Sequence, residues 1–282
     1  MTMIPKIIHY CWIGDAPMTE LAEHCVASWH KHMPDWKYMR WDEDSLTRAM
    51  NQPNPNPCPK GKGEKRSWFE FMPIYVKQAY KARKFAFVSD YVRLWALERY
   101  GGLYMDVDFE VYRPFDDLMD KYPAFAGYEG SKRKPVMQGV IASEPHGAWV
   151  QDMLQTYQCR EFIKVDNSLD LTPNTSYFTN RLETQGFIAD GVEKDVFLSA
   201  DKKLEIGNWK LKNGAFLLHV FPVHYFCPVL TTGEDVRTEE TYCEHKGVSS
   251  WATNNSWKGR LLSRLSPALR TKLIKLKRKI LG

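Results

Sequence analysis

The stretch "FAFVSDYVRLWALERYGGLYMDVDFEVY", Phe85 to Tyr112, constrains the fold more than any other part of the chain. It reads as a short strand over Phe85–Asp90 that turns at Ser89 into a helix ending at Tyr100. Ser89 suits the N-cap and Gly101 or Gly102 the C-terminal stop, and a strand then runs from Leu103 to Tyr112. Strand, helix and strand in quick succession point to an α/β sheet with helices on both faces. The flanking segments continue the alternation. Pro5–Gly14 is a β-rich apolar run, Leu21–Met33 has helical spacing, Trp36–Asp42 reads as a strand, and helical periodicity returns over Phe69–Lys84. Between the last two, Asn51–Gly63 holds four prolines and two glycines and reads as a loop.

Within the final strand two carboxylates stand one residue apart. In a strand, residues i and i+2 project to the same side, which directs Asp106 and Asp108 together and Val107 away. Two neighbouring carboxylates repel, and a hard divalent cation, Mg²⁺ or Mn²⁺, compensates them while keeping positions open for substrate phosphates. A lone D-x-D is also a common solvated turn. Here its apolar lead-in places the acids at the end of a core strand, the edge where open α/β sheets bind ligands. Asp90 and Arg93, at i and i+3, share a helix face beside it; the alternative reading of that pair is a local ion pair.

Charge separates the chain into two parts. The whole carries a formal +5, and the nine basic residues between Lys258 and Lys279, with no acid among them, account for more than all of it. The body is therefore acidic, which argues against a nucleic-acid groove spread over a folded domain. The six cysteines are scattered without a C-x-x-C pair, so neither a zinc site nor a disulfide framework is suggested. No apolar run reaches the length of a membrane span and the start lacks the features of a secretory signal, so residence on the cytosolic side is the expectation.

"IPKIIHYCWIG", "FVSDYVRLWALERYGGLYMDVDFEV" and "TYCEHKGVSSW" resemble the three signature blocks of glycosyltransferase family 32. That family includes bacterial capsule and lipopolysaccharide sugar transferases and yeast mannosyltransferases, and is distantly similar to the glucosylating clostridial toxins. The resemblance covers roughly residues 4–252. It implies a GT-A fold, a Rossmann-like mixed sheet flanked by helices. It also implies retaining transfer of a hexose from a nucleotide sugar to a glycan acceptor in capsule, lipopolysaccharide or exopolysaccharide synthesis. A UDP-hexose, above all UDP-galactose, is the implied donor, with GDP-mannose as the alternative. A non-catalytic nucleotide-sugar-binding module is the rival from another class.

Carried over by position, the resemblance makes Asp108 the ligand of a Mn²⁺ or Mg²⁺ ion, with Asp106 and His245 completing the metal shell. Asp90, Arg93 and Asp106 would hold the donor sugar and serve catalysis, and Trp12 would stack on the base. Ser249 or Ser250 would donate to a phosphate oxygen, and Trp251 would donate its indole N–H near the leaving oxygen. Many relatives carry two histidines in tandem in the last block, where this chain has His245 and Lys246. Glu129, Gln138 and Asn174 are further polar candidates for sugar or acceptor contacts.

The catalytic domain is expected over residues 1–257, with 258–282 as a basic amphipathic tail. Ser266 caps a helix there with Pro267 at its first position, and Leu269, Leu273, Leu276 and Ile280 form one apolar stripe among basic residues. Such a helix suits an anionic membrane surface and, with it, a lipid-linked acceptor at the cytoplasmic face. A helix packed on the domain through the same stripe is the other reading.

Overall fold

The computed structural model describes residues 4–52, 66–130, 135–197, 205–206, 209–210 and 216–247. The expected tail, 258–282, lies outside them. The strands are β1 (Ile7–Cys11), β2 (Lys37–Trp41), β3 (Gly102–Met105), β4 (Phe109–Val111), β5 (Ala124–Gly127), β6 (Val140–Ser143), β7 (Lys194–Phe197), β8 (Glu205–Ile206), β9 (Trp209–Lys210), β10 (Phe216–Phe221) and β11 (Cys243–His245). The helices are α1 (Glu20–His32), α2 (Glu43–Met50), α3 (Trp68–Phe71), α4 (Ile74–Lys81), α5 (Phe85–Tyr100), α6 (Asp116–Lys121), α7 (Ala148–Thr156), α8 (Asn174–Glu183) and α9 (Val223–Phe226).

Seven strands form a mixed sheet in the order β2-β1-β3-β6-β5-β10-β7. β1 runs parallel to both neighbours, with Ile8 opposite Tyr38 on one side and Leu103 on the other. β6 lies antiparallel between β3 and β5. The central strands β3, β5 and β6 are buried along their whole length, as expected of strands covered on both faces. The mixed α/β sheet flanked by helices is thus present as expected.

The chain leaves β1 through α1 to β2 on one side, then returns through α5 to β3 on the other. The strand order therefore reverses at β1, and the crevice beyond the C-terminal ends of β1 and β3 is the switch point where such sheets bind ligands. Trp12 follows β1 at that edge and Asp106 follows β3.

Three local expectations are corrected. Phe85–Asp90 is the first turns of α5, not a strand, and Ser89 lies inside the helix with its hydroxyl donating to the Ala86 carbonyl at 2.8 Å. A short apolar run suits a buried helix as well as a strand, and Phe87 and Val88 are buried against neighbouring elements. The helical stretch over Phe69–Lys84 is two helices, broken at Pro73, which lacks the N–H to continue the ladder. The acidic strand is also interrupted. β3 ends at Met105, the Phe109 N–H donates to the Asp106 carbonyl at 3.2 Å to close a turn, and β4 then pairs with β11 in a separate two-stranded sheet. Asp106 and Asp108 are neighbours on a turn between two sheets, not on one pleat.

The end of α5 is joined to β1 and β2 by close packing and buried polar contacts. α5 ends as expected at Gly101 (φ +63°), and Gly102 (φ +111°) follows, where a Cβ would stand 2.6 Å from the Ile7 carbonyl oxygen. The fully buried His9 spans this junction. The Trp41 indole N–H, which can only donate, meets its Nδ1 at 3.2 Å, so Nε2 carries the hydrogen and donates to the Gly101 carbonyl at 2.8 Å. Burial holds this imidazole neutral, with its pKa lowered to about 4.

Candidate active site

Arg93 organises the site from inside α5. Its Nη2 lies 2.9 Å from Asp90 Oδ1 and 3.3 Å from Asp106 Oδ1, Nη1 donates to the Gln138 carbonyl at 2.6 Å, and Nε to the Ser89 carbonyl at 3.3 Å. The guanidinium sits 4.6 Å from the centre of the Tyr104 ring, whose hydroxyl donates to Asp106 Oδ1 at 2.8 Å. An arginine with 6% of its side chain exposed must be paired in this way. Burial, opposed by Arg93, pushes the Asp90 carboxyl up to about 6, and the same two causes in the same order raise Asp106. Burial works against the charge on Arg93, but Asp106, Tyr104 and Asp90 together hold it above its ordinary range.

Asp108 is held from β11. Its Oδ2 lies 3.1 Å from His245 Nε2, its carbonyl accepts from the Lys246 N–H at 2.7 Å, and the His245 ring stacks on Phe109 at 4.7 Å. Burial would lower the His245 pKa, but Asp108 first, then Asp106 and Glu129, raise it to about 8. The other oxygen, Oδ1, is buried without a hydrogen-bond partner. A buried ionised oxygen left unpaired is costly, and a cation is the partner that chemistry offers it.

The fit to a divalent cation rests on that oxygen. Asp106 Oδ1 is taken by Arg93 and Tyr104, leaving its Oδ2 toward Gly139, where an added Cβ would come within 3.1 Å. Two hard carboxylates on one turn fit Mg²⁺ or Mn²⁺ with the remaining positions open. Among the described residues no group of three or more His, Cys, Asp or Glu side chains is placed to hold a metal ion, so the expected shell of Asp108, Asp106 and His245 is not assembled as three ligands.

A polar wall adjoins this pair. Gln138 is buried, its Oε1 accepts from Asn174 Nδ2, and its own Nε2 has no partner. Asn174 is the first residue of α8, behind Pro173. Burial raises the Glu129 carboxyl, with His245 opposing. Trp12 is half-buried, and its indole N–H donates to the Ala16 carbonyl at 2.6 Å.

The structure therefore brings Asp90, Arg93, Asp106, Asp108 and His245 together, and sets Trp12 on the same sheet edge. Ser249, Ser250 and Trp251 lie outside the described residues. Sequence reasoning missed Tyr104 and Gly139. The i, i+2 spacing that puts Tyr104 on the same side as Asp106 was a usable signal; the approach of Gly139 to Phe109 comes from strand pairing and had none.

Residues 19–125 match the model of the glycosyltransferase sugar-binding region containing DXD motif. Over 124 residues the chain is 32% identical to inositol phosphoceramide mannosyltransferase 1 of Schizosaccharomyces pombe, covering 43% of this chain and 33% of that protein. Over 84 residues it is 33% identical to glucan organizing enzyme 1 of Cryptococcus neoformans var. grubii, covering 27% and 23%. These matches span at most 33% of the curated relatives' own lengths. Among solved structures, the PaToxG glycosyltransferase is similar with a TM-score of 0.43 and 19% identity, covering 64% of this chain and 70% of that one. Asp90, Arg93, Asp106 and Asp108 all fall within the matched residues, whereas Trp12 and His245 lie outside them. Residues 19–125, with Asp106 and Asp108 as the D-x-D, are thus the part of the chain that is similar to the glycosyltransferase sugar-binding region containing DXD motif.

Proposed function

We propose that this chain is a metal-dependent, retaining glycosyltransferase that moves a hexose from a nucleotide sugar to a glycan acceptor. The observation that carries the reading is the unpaired, buried Oδ1 of Asp108 beside the Arg93-bridged Asp90 and Asp106, at the reversal of strand order. When bound, Mn²⁺ or Mg²⁺ held by Asp108 with Asp106 supplies charge stabilisation for the departing diphosphate. His245, donating to Asp108, orients that carboxylate, and Trp12 offers its face to the base. Asp90 and Asp106 accept hydrogen bonds from donor hydroxyls, each kept in place by Arg93. Bond breaking leaves the electron pair on the phosphate oxygen. The acceptor hydroxyl attacks from the same face of the sugar and passes its proton to that oxygen, so no carboxylate nucleophile is needed.

UDP-galactose remains the donor favoured by the resemblance to bacterial sugar transferases. The similarity to a fungal mannosyltransferase supports GDP-mannose as a second reading, and the lipid in that relative's name supports a lipid-borne acceptor. We further propose that residues 1–257 are the catalytic domain and that the basic tail, 258–282, holds it at the cytoplasmic face of an anionic membrane, in capsule, lipopolysaccharide or exopolysaccharide synthesis. The test is a panel of nucleotide sugars incubated with the full chain and Mn²⁺. One donor should release nucleoside diphosphate slowly without acceptor, with the free sugar first appearing in the donor's own anomeric form; release from none would overturn the enzyme reading in favour of a binding module.

A further inference from the structure

The acids next to the D-x-D turn form a charged cluster on the side of β4 and β11 away from the site. Glu244 stands directly opposite Glu110 in the antiparallel register, an arrangement that repels unless a cation bridges it. Lys246 is that bridge, with Nζ 2.9 Å from Glu110 Oε2 and 2.7 Å from Glu244 Oε2. Arg237 Nη2 lies 2.9 Å from Glu244 Oε2, His24 Nε2 lies 3.1 Å from Glu110 Oε1, and the Tyr112 hydroxyl lies against both carboxylates.

Strand alternation puts Glu244 and Lys246 on one side of β11 and His245 on the other. The two faces are linked through one residue, because the Lys246 N–H donates to the Asp108 carbonyl while its side chain grips Glu110. A two-stranded sheet of three residue pairs is marginal by itself. β4 has independent anchors in α1, where Trp29 Nε1 donates to the Phe109 carbonyl at 2.7 Å and Ser28 Oγ accepts from the Val111 N–H at 2.9 Å. β11 has the buried Cys243 at its start, and at its end this cluster.

We propose that Lys246 is a positioning residue: clasped between Glu110 and Glu244, it holds β11 in register and so keeps His245 on Asp108. Where many relatives carry a second histidine, this chain has a lysine, whose longer side chain reaches both carboxylates. The inference rests on the reading of Asp108 as a metal carboxylate only for its consequence in catalysis, since the clasp itself is independent of any ion.

The imidazole ¹⁵N resonances of the full-length, metal-free protein test it. His245→Asn removes one set and so assigns it. Lys246→Met should move that set to the values of a solvent-exposed imidazole, Lys246→Arg should leave it near its native position, and the buried His9 set should be unchanged in both. If Lys246→Met does not fold, Glu110→Gln, which removes one of the two carboxylates of the bridge, must show the same displacement. A His245 set unmoved in whichever of these two variants folds would overturn the proposal. Mn²⁺ affinity, read by electron paramagnetic resonance, should fall about tenfold in His245→Asn and in Lys246→Met, with the double variant no worse than either. Losses that multiply in the double variant would also overturn it. Absence of Mn²⁺ binding by the unaltered chain would instead overturn the metal reading and leave the resonance test standing.

Discussion

The indole N–H of Trp29 donates to the carbonyl of Phe109 at 2.7 Å, so a fully buried side chain of α1 fixes the outgoing limb of the acidic turn. Trp29→Phe keeps an aromatic ring but strands that carbonyl. It should destabilise the fold by about 2 kcal/mol in urea denaturation, and weaken Mn²⁺ binding by more than the stability loss alone explains.

Gly139 is predicted to be needed for full activity although it carries no side chain. An alanine Cβ there would stand 2.6 Å from Phe109 Cε2 and 3.1 Å from Asp106 Oδ2. Because the ring and the carboxylate must both shift, Gly139→Ala should cut kcat/KM for donor hydrolysis at least tenfold, while circular dichroism shows the fold retained.

Asp90 should trade stability for binding. Its pKa is raised, mainly by burial, from an ordinary 3.8 to about 6. The folded state therefore holds its proton more tightly than the unfolded chain. Stability from this group is complete below pH 4 and is lost as pH rises through 6. Asp90→Asn should be more stable than the native chain at pH 7.5, by about 1–3 kcal/mol, with the gain gone at pH 4, and should lose donor hydrolysis.

His9 acts in the opposite sense. Its folded pKa is lowered to about 4 by burial, so protonation favours the unfolded chain. Its contribution is whole above pH 6.5 and is lost progressively as pH falls toward 4, amounting to roughly 3 kcal/mol over that window. His9→Gln removes the titrating ring and should flatten this part of the stability-against-pH curve, whatever its effect on stability at pH 7.

Much of this was legible in the sequence because local signals and tertiary context agreed. The apolar run Ile7–Cys11, the helical spacing through Trp29 and the Gly101-Gly102 stop each gave the element found. The strand assigned to Phe85–Asp90 failed because Phe85–Val88 is four apolar residues in a row, too short and too uniform to show a helical or a strand period. The D-x-D was found for a reason that the structure replaces: its acids converge through a turn between two sheets, closed by Phe109 and Asp106. The clasp at Lys246 was not legible, since it depends on the pairing of Glu110 with Glu244, residues 134 positions apart in the chain, and pairing across such a distance leaves no local period.

The central claim is that Asp108 offers its unpaired oxygen to a divalent cation that carries the donor diphosphate. It is tested most directly by measuring nucleoside diphosphate release from the preferred nucleotide sugar, with and without Mn²⁺, in the native chain and in Asp108→Asn. Release should depend on Mn²⁺ in the native chain and fall at least a hundredfold in the variant, about 3 kcal/mol of transition-state stabilisation, with the fold intact. Undiminished, Mn²⁺-dependent release by Asp108→Asn would contradict it.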